Sequence, residues 1–217
     1  ESSYLISLGH KIGFDKSTEE SSSYESAVIS EGRTSRTAWC DDDDENDEKE
    51  DGQASKVTMC ANDPIVKGLL TRIEKVTGIP ESHYEPMQFL WYEEGQFYEE
   101  HHDFIDSQVY RSCGPRILTL FLYLNDVEEG GETRFTTLQR NRGKSNDNED
   151  DSGKHMLTVA PKKGTALLWS NVLDDDPSRI NEQMYHEAMA VKQGYKYAMN
   201  VWIHLRNHKV TAQRGCN

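Results

Sequence analysis

From residue 87 onward, short apolar runs alternate with segments rich in turn-forming residues, and this alternation constrains the fold of the chain most strongly. Short runs rich in β-branched and aromatic side chains, bounded by Gly, Asn and Asp, are typical of β-strands. Several such strands in succession predict a sandwich or a barrel. The runs are MQFLWY (87–92), RILTLFLYL (116–124), LTVA (157–160), TALLW (165–169) and KYAMNVWIHL (196–205).

A helix is predicted before these strands, over residues 63–80. Asp63 can cap its N-terminus and Pro64 suits its first turn, whereas Gly78 and Pro80 end it. A weaker helical spacing occurs in SSYLISLGHKIGF, at 2–14. Helices followed by a series of strands favour an α+β fold. The helix over 63–80 has one apolar stripe that is expected to face a core. This stripe consists of Ile65, Val66, Leu69, Leu70, Ile73 and Val76.

Acidic charge is concentrated in one short stretch. The 217 residues carry 24 basic and 38 acidic side chains, a formal net charge of −14. The run DDDDENDEKED (41–51) holds nine acids and one Lys, which accounts for −8 of this charge. We expect a solvated loop there, with a docking site for a basic partner as the alternative. A nucleic-acid partner is not expected, because binding to phosphates requires a basic face.

The length of the chain suits one domain with long insertions. We predict this domain over residues 1–206, followed by a C-terminal tail at 207–217. The acidic stretch 41–55 and the polar stretch 141–153 are predicted loop insertions within it. No apolar run reaches the roughly 18 residues that a membrane-spanning helix needs, so no membrane anchor is expected in this segment.

The four cysteines do not form a CxxC pair, which argues against a structural zinc site. Cys40 and Cys60 flank the acidic run and can close it with a disulfide. That bond would require an oxidising compartment. Two free thiols are the alternative.

The segment QFYEEHHDFI (96–105) holds two adjacent histidines followed by an aspartate. In an extended segment, residues i and i+2 project to the same side, so His101 and Asp103 face one way and His102 faces the other. Two histidines and one carboxylate are the ligands of non-haem iron(II) oxygenases, which leave three metal positions open. An H-x-D pair alone is weak evidence, since most such pairs are polar surface residues.

A third ligand must come from elsewhere in the chain. His186 stands ten residues before Lys196, which lies at the head of the last predicted strand. An iron oxygenase that uses 2-oxoglutarate needs a buried cation for the distal carboxylate of that co-substrate. An H-x-D pair combined with a distant His and a Lys ten residues beyond it predicts an iron site.

The segment YEEGQFYEEHHD resembles the Y-x-x-G-Q-x-Y-x-x-H-x-D signature of prolyl 4-hydroxylases. The likeness covers residues 1–206 in the order of that family, and it implies a double-stranded β-helix (jelly-roll) core with flanking N-terminal helices. It continues in GRTSRTAWC (32–40), YEPMQFLWY (84–92), RILTLFLYLNDVEEGGETRF (116–135), KKGTALLW (162–169) and HEAMAVKQGYKYAMNVWIH (186–204).

The resemblance assigns roles to individual residues. It implies that His101, Asp103 and His186 bind Fe(II). It implies that Lys196 binds the distal carboxylate of 2-oxoglutarate, and it places two hydroxyl groups beside that carboxylate, those of Tyr92 and Thr133.

The resemblance also implies a groove for a Pro-rich peptide or protein. RTS (33–35) matches the substrate-covering loop of the family. Because the acidic run follows it, we hypothesise that residues 32–55 cover the groove and favour basic peptides. The groove is implied to be lined by Tyr98, Arg116, Trp202 and His204.

The implied activity is hydroxylation of peptidyl proline, coupled to oxidative decarboxylation of 2-oxoglutarate to succinate and CO₂, with O₂ and ascorbate. The implied location is the endoplasmic reticulum or secretory pathway, with the cytoplasm as the alternative. Another substrate (a lysyl side chain, a free amino acid or a small molecule) remains open, because the metal ligands would be shared. A non-catalytic jelly-roll that binds Pro-rich peptides is a further alternative, although such a protein would not need all four iron and co-substrate residues.

Overall fold

The computed structural model of the chain describes residues 1–19, 28–29, 32–40, 60, 62–139 and 156–212. The acidic run and the predicted insertion at 141–153 lie outside the described residues. The helices are Ser2–Ile12, Pro64–Thr77 and His208–Ala212. In chain order the strands are β1 (Asp15–Lys16), β2 (Thr18–Glu19), β3 (Val28–Ile29), β4 (Arg36–Cys40), β5 (Met87–Tyr92), β6 (Tyr98–His101), β7 (Arg116–Tyr123), β8 (Glu129–Gly130), β9 (Thr133–Gln139), β10 (Met156–Val159), β11 (Ala166–Ser170), β12 (His186–Ala188), β13 (Val191–Gln193) and β14 (Lys196–His204).

Two antiparallel sheets form the body of the protein. The larger has six strands in the order β1-β4-β5-β14-β7-β11, and the smaller has four in the order β10-β9-β12-β6. Phe121 and Tyr123 of the larger sheet share one buried apolar cluster with Phe135 and Ala188 of the smaller sheet, so the two sheets face each other. The predicted α+β class is confirmed.

Strand β14 is the centre of the larger sheet, and all nine of its residues are buried. Side chains alternate across a strand, so β14 supplies two different faces. Met199, Val201 and Ile203 pack in the cluster that contains the helices, whereas Ala198 packs in the cluster between the sheets. By the same alternation, Lys196 faces the space between the sheets.

The helix Pro64–Thr77 forms where the sequence predicts it. The Asp63 side chain accepts hydrogen bonds from the backbone N–H groups of Ile65 and Val66, and Gly78 ends the helix in the left-handed conformation with φ of 71°. Val76 is the exception to the predicted stripe. It is 71% exposed.

Nine of the fourteen described strands were not predicted, and β4, β6 and β12 among them matter most for the site. They are short, and the segments YEEH and HEA lack an apolar alternation. Pairing with longer neighbours forms them, since β4 pairs with β5 over five residues and β12 pairs with both β6 and β9. The predicted tail also begins with structure, the short helix His208–Ala212.

Strands β8 and β13 form a separate two-stranded antiparallel sheet. Strand β13 follows β12 and pairs with β8, with Val191 opposite Gly130. Gly130 has φ of 80°, and a Cβ there would lie 2.4 Å from the Ala190 carbonyl oxygen. This close approach of two backbones requires glycine.

Cys40 and Cys60 form a disulfide. The bond closes the acidic segment at its two ends, so of the two alternatives left open by the sequence the disulfide is the one found. Cys113 is also disulfide-bonded, to a partner outside the described residues. Among the helices that the structure describes, none has the length and apolar character to span a membrane.

Candidate active site

Two histidines and an aspartate converge where β6 ends and β12 begins. His101 and His186 stand directly opposite each other in the β6–β12 register, an arrangement that places Cβ atoms about 5 Å apart. Asp103 follows two residues after His101. Its Oδ1 lies 4.0 Å from His101 Nε2 and its Oδ2 lies 3.8 Å from His186 Nε2. The three side chains are close enough to share one metal ion.

Backbone carbonyls orient both imidazole rings. His101 Nδ1 donates to the Glu99 carbonyl oxygen and His186 Nδ1 donates to the Met184 carbonyl oxygen, both at 2.8 Å. Because Nδ1 carries the proton in each ring, the Nε2 lone pairs face the cluster. This is the usual outer-shell arrangement of metal-binding histidines.

His102 points away from the cluster, as the alternation of an extended segment predicts. Its Nε2 donates to the Asn181 carbonyl oxygen at 3.0 Å. Its Nδ1 accepts from the Phe104 backbone N–H at 2.9 Å. Both ring nitrogens of His102 are therefore engaged elsewhere.

The electrostatics of the cluster suit a divalent cation. Burial, helped by the neighbouring His186, lowers the pKa of His101 to about 3. Burial opposes ionisation of Asp103, but electrostatic interactions with the His186 and His101 rings and a hydrogen bond from Thr119 outweigh it, and the pKa of Asp103 is lowered. At neutral pH His101 is neutral and Asp103 is ionised, which are the forms that bind metal.

Side chains from β7 and β11 surround these candidate ligands. The Thr119 hydroxyl donates to Asp103 Oδ2 at 2.7 Å, and Asn171 Nδ2 donates to Thr119 Oγ1 at 2.9 Å. The Trp169 ring packs edge-on against His186 with centroids 4.9 Å apart. None of these three residues was singled out from the sequence.

Lys196 forms the second buried feature of the site. It lies opposite Tyr92 in the β14–β5 register and is 0% exposed. Its Nζ has no hydrogen-bond partner among the described residues. Three aromatic rings surround this nitrogen, those of Tyr92 at 5.1 Å, Phe121 at 5.3 Å and Tyr123 at 5.6 Å.

Burial lowers the pKa of Lys196 to about 7, against an opposing effect of Glu132. A buried ammonium without a partner is unfavourable, and an anionic ligand would satisfy it. The aromatic rings give it weak compensation only. The pocket is therefore suited to a carboxylate.

The sequence indicates the hydroxyl groups of Tyr92 and Thr133 beside the co-substrate carboxylate, and the structure adds that of Tyr123. Tyr123 Oη donates to Thr133 Oγ1 at 2.7 Å, and the Tyr92 hydroxyl is hydrogen-bonded to Ser35. Tyr123 was missed. The alternation of RILTLFLYL could have identified it, because residues 119, 121 and 123 share one face of β7.

Three of the four predicted groove residues form one network at the far end of β14. Arg116 donates to both carboxylate oxygens of Glu85, with Nη2 to Oε2 at 2.8 Å, and its guanidinium lies 3.9 Å from the Trp202 ring centroid. His204 contacts Glu85 Oε1 through Nε2 at 2.7 Å. Burial raises the pKa of Glu85, but Arg116 and His204 outweigh this effect and lower it to about 2. Glu85 was not foreseen, although it lies in a quoted motif.

The fourth predicted groove residue, Tyr98, lies beside the metal cluster instead. Its ring stacks on His101 with centroids 3.6 Å apart. The Arg33 guanidinium lies 4.7 Å from the Tyr98 ring centroid and donates to Gln88 Oε1 at 3.1 Å. Arg33 and Ser35 are buried, so the start of the predicted substrate-covering loop is packed against the sheet.

Glu85, His204 and His208 form another group of candidate metal ligands. The 2.7 Å between His204 Nε2 and Glu85 Oε1 is a hydrogen-bond distance, whereas two ligands of a tetrahedral ion stand about 3.3 Å apart. The Arg116 guanidinium already neutralises the carboxylate. This group is therefore a hydrogen-bonded charge cluster rather than a metal site.

Residues 87–204, more than half of the chain, match the family described as the 2OG-Fe(II) oxygenase superfamily. The chain belongs to this superfamily. Within the oxygenase, the match begins at the first residue of β5 and ends at the last residue of β14. It therefore includes the three converging side chains and Lys196.

Similar proteins come from Arabidopsis thaliana. Prolyl 4-hydroxylase 2 is 34% identical over 180 residues, which cover 78% of this chain and 58% of that protein. Probable prolyl 4-hydroxylase 8 is 39% identical over 153 residues, which cover 68% of this chain and 51% of that protein. The predicted resemblance to prolyl 4-hydroxylases is confirmed, and the chain spans little more than half the length of these relatives.

Solved structures share the fold of this oxygenase. The viral collagen prolyl hydroxylase of Paramecium Bursaria Chlorella virus-1 has a TM-score of 0.58 and 22% identity, covering 94% of this chain and 88% of that one. A Trichoplax adhaerens prolyl hydroxylase, in complex with a hypoxia inducible factor peptide fragment, has a TM-score of 0.56 and 14% identity, covering 98% and 80%. The predicted jelly-roll core is confirmed.

The superfamily uses Fe(II) and 2-oxoglutarate, and the residues present fit both. Two imidazole Nε2 atoms and one carboxylate converge, which is the donor set of a non-haem iron site. Within the described part of the chain the Nζ of Lys196 has no hydrogen-bond partner, so it can serve as the counter-ion for one carboxylate of a dicarboxylic co-substrate.

Proposed function

We propose that this chain hydroxylates peptidyl proline to 4-hydroxyproline, with oxidative decarboxylation of 2-oxoglutarate to succinate and CO₂. One observation carries the proposal: two histidines and one aspartate, of which His101 is half-buried and the other two are buried, share the interior of the barrel with a buried lysine whose Nζ has no hydrogen-bond partner among the described residues. The prolyl 4-hydroxylase relatives support proline as the target. Bound Fe(II) would supply the activation of O₂ that breaks an unactivated C–H bond.

His101, Asp103 and His186 hold the iron in this proposal. The two rings present Nε2 because Glu99 and Met184 carbonyls fix Nδ1. Tyr98 covers one face of the His101 ring. The protein's contribution is a preformed set of three ligands where β6 ends and β12 begins, and a metal held by only three protein ligands would have positions left for co-substrate and O₂.

Lys196 binds the distal carboxylate of 2-oxoglutarate. Tyr92 and Thr133 supply hydroxyl groups to the same pocket, and Tyr123 orients Thr133 through their 2.7 Å hydrogen bond. The aromatic rings around Nζ exclude water, which strengthens the charge-assisted contact.

The peptide lies across Tyr98 and a wall backed by Trp202, which is 6% exposed, with Arg116 presenting a polar edge. His204 is 0% exposed, so it supports this wall through Glu85 and does not face the peptide. Flat aromatic faces suit proline rings in an extended polyproline II chain. Trp39 continues this wall, because it is 43% exposed and its ring centroid lies 6.1 Å from that of Trp202. Arg116 and His204 are already held by Glu85, so they are fixed before substrate arrives.

The compartment belongs to the proposal as well. The disulfide between Cys40 and Cys60 and the bonded state of Cys113 favour an oxidising compartment, and hence the secretory pathway. Ascorbate is proposed as the reductant that restores Fe(II) after uncoupled turnover. The substrate is a Pro-rich peptide or protein.

Mass spectrometry of a peptide panel tests this function. The chain is incubated with Fe(II), 2-oxoglutarate, O₂ and ascorbate and with matched peptides in which proline, lysine or alanine occupies the central position. We expect one oxygen atom to be added to the proline peptide alone, with one succinate per hydroxylation, and no product from His101→Ala. Oxidation of the lysine peptide, or peptide binding without any succinate, would contradict the proposal.

A further inference from the structure

We propose that Asn171 and Thr119 form a positioning pair that holds the Asp103 carboxylate in its metal-binding orientation. The inference rests on the proposed role of Asp103 as a metal ligand. Neither residue touches the metal or the substrate in this account. Both act through the hydrogen bond that ends on Asp103 Oδ2.

The direction of each hydrogen bond follows from counting protons. The Asn171 amide nitrogen lies 2.9 Å from Thr119 Oγ1 and can only donate, so Thr119 Oγ1 accepts this hydrogen bond. The single proton of the Thr119 hydroxyl is therefore directed to Asp103 Oδ2, 2.7 Å away.

The burial of Asn171 indicates that its side chain is needed for the N–H group that donates to Thr119. Asn171 and Thr119 are both 0% exposed. The Asn171 Oδ1 atom is buried and has no hydrogen-bond partner within the part of the chain that the structure describes. A buried amide that leaves its acceptor unsatisfied is costly, so the position depends on the N–H group.

The backbone holds the pair rigidly. Thr119 stands opposite Trp169 in the β7–β11 register. Asn171 follows directly after β11, where its N–H donates to the Ile117 carbonyl at 2.9 Å and its carbonyl accepts from the Asn181 N–H at 2.9 Å. Hydrogen bonds to Ile117 and Asn181 therefore fix the Asn171 backbone, and with it the position of the side-chain amide, without any bound metal.

The consequence for Asp103 is a fixed rotation of its carboxylate. Oδ2 is held by Thr119, so Oδ1 keeps its place 4.0 Å from His101 Nε2. Without the hydroxyl, the carboxylate would rotate about its last bond and lose a preset ligand geometry. Loss of such an outer-shell partner typically lowers metal affinity by about ten- to a hundredfold.

Metal titration separates positioning from folding. Co(II) is titrated into wild type, Thr119→Val, Thr119→Ser and Asn171→Ala, and its affinity and visible ligand-field spectrum are recorded. We expect a ten- to hundredfold loss of affinity with an altered spectrum in Thr119→Val, recovery in Thr119→Ser, and a smaller loss in Asn171→Ala. Ser170→Ala is the matched control, because it removes a hydroxyl from the neighbouring strand β11 that donates to the Val172 carbonyl and not to Asp103.

A double-mutant cycle tests whether Asn171 acts through Thr119. If it does, Asn171→Ala adds no further loss in the Thr119→Val background. Additive losses, wild-type affinity and spectrum in Thr119→Val, failure of Thr119→Ser to recover, or an equal loss in Ser170→Ala would each overturn the pairing. The readout needs no substrate, so inactivity on proline peptides with normal Co(II) titrations would defeat the proposed function alone.

Discussion

Binding of 2-oxoglutarate is expected to take up a proton on Lys196 above pH 7. In the free protein burial lowers the pKa of this lysine to about 7. A bound carboxylate favours the charged form and raises the pKa again. The affinity for 2-oxoglutarate is therefore close to its maximum below pH 7. It falls as pH rises through 7, because part of the binding free energy is then used to protonate the lysine.

The size of the effect follows from the pKa of the free protein. Well above pH 7 the protonated fraction falls tenfold per pH unit, until the pKa of the complex is reached. Between pH 7 and pH 9 the protonated fraction of Lys196 falls from about 1/2 to about 1/100. The dissociation constant of 2-oxoglutarate therefore rises roughly fiftyfold, which corresponds to a loss of about 2.3 kcal/mol of binding free energy. His101 and Asp103 do not titrate within this window, since the pKa of His101 is about 3 and that of Asp103 is lowered.

Calorimetric titration of the Co(II)-loaded protein with 2-oxoglutarate, from pH 6 to pH 9, measures this dependence. Two buffers of different ionisation enthalpy count the protons taken up. Lys196→Arg keeps its charge and should lose the pH dependence, whereas Lys196→Met should bind at least about a hundredfold more weakly at pH 7. A wild-type affinity that stays constant across this range, with no proton uptake, would refute the reasoning.

Three further predictions concern other parts of the molecule. His102→Ala should bind Co(II) like wild type and His101→Ala should not, and equal loss in both would contradict the ligand assignment. Arg116→Met should lower the free energy of unfolding in urea by about 3–5 kcal/mol, because it leaves Glu85 buried without its cation; an unchanged midpoint would show that water replaces the guanidinium. Cys60→Ser should cost about 3 kcal/mol, the chain-entropy value for a disulfide with a sequence separation of 20, and dithiothreitol should abolish the difference between wild type and variant, because both then lack the Cys40–Cys60 bond and both lose the bond of Cys113.

The sequence was sufficient for the long elements and for the residues with a periodic signal. Strands β5, β7, β11 and β14 and the capped helix after Asp63 follow from apolar spacing, because each buries a side that must be apolar. Strands β6 and β12 do not, since their inward side chains serve the site instead of the core. Their strand character comes from pairing with neighbours far away in sequence.

The same reason explains which site residues were missed. His101, Asp103, His186 and Lys196 sit in a recognisable pattern along the chain. Thr119 and Asn171 carry no local signal, because their roles depend on partners 16 and 52 residues distant, respectively Asp103 and Thr119. Such pairings exist only after the sheets have formed their register.

The passage of the chain from β12 to β14 has a consequence for how this protein can evolve. His186 begins a strand of the smaller sheet and Lys196 begins one of the larger sheet, and the Gly130–Val191 contact secures the stretch between them. A one-residue deletion that shifts the register of β14 would move the lysine relative to the histidine and reverse the side that its side chain faces. The interval between β9 and β10 is under no such constraint from the site, because those strands pair with each other within one sheet. A change of length is therefore expected to be tolerated less well in the ten residues from His186 to Lys196 than between Gln139 and Met156.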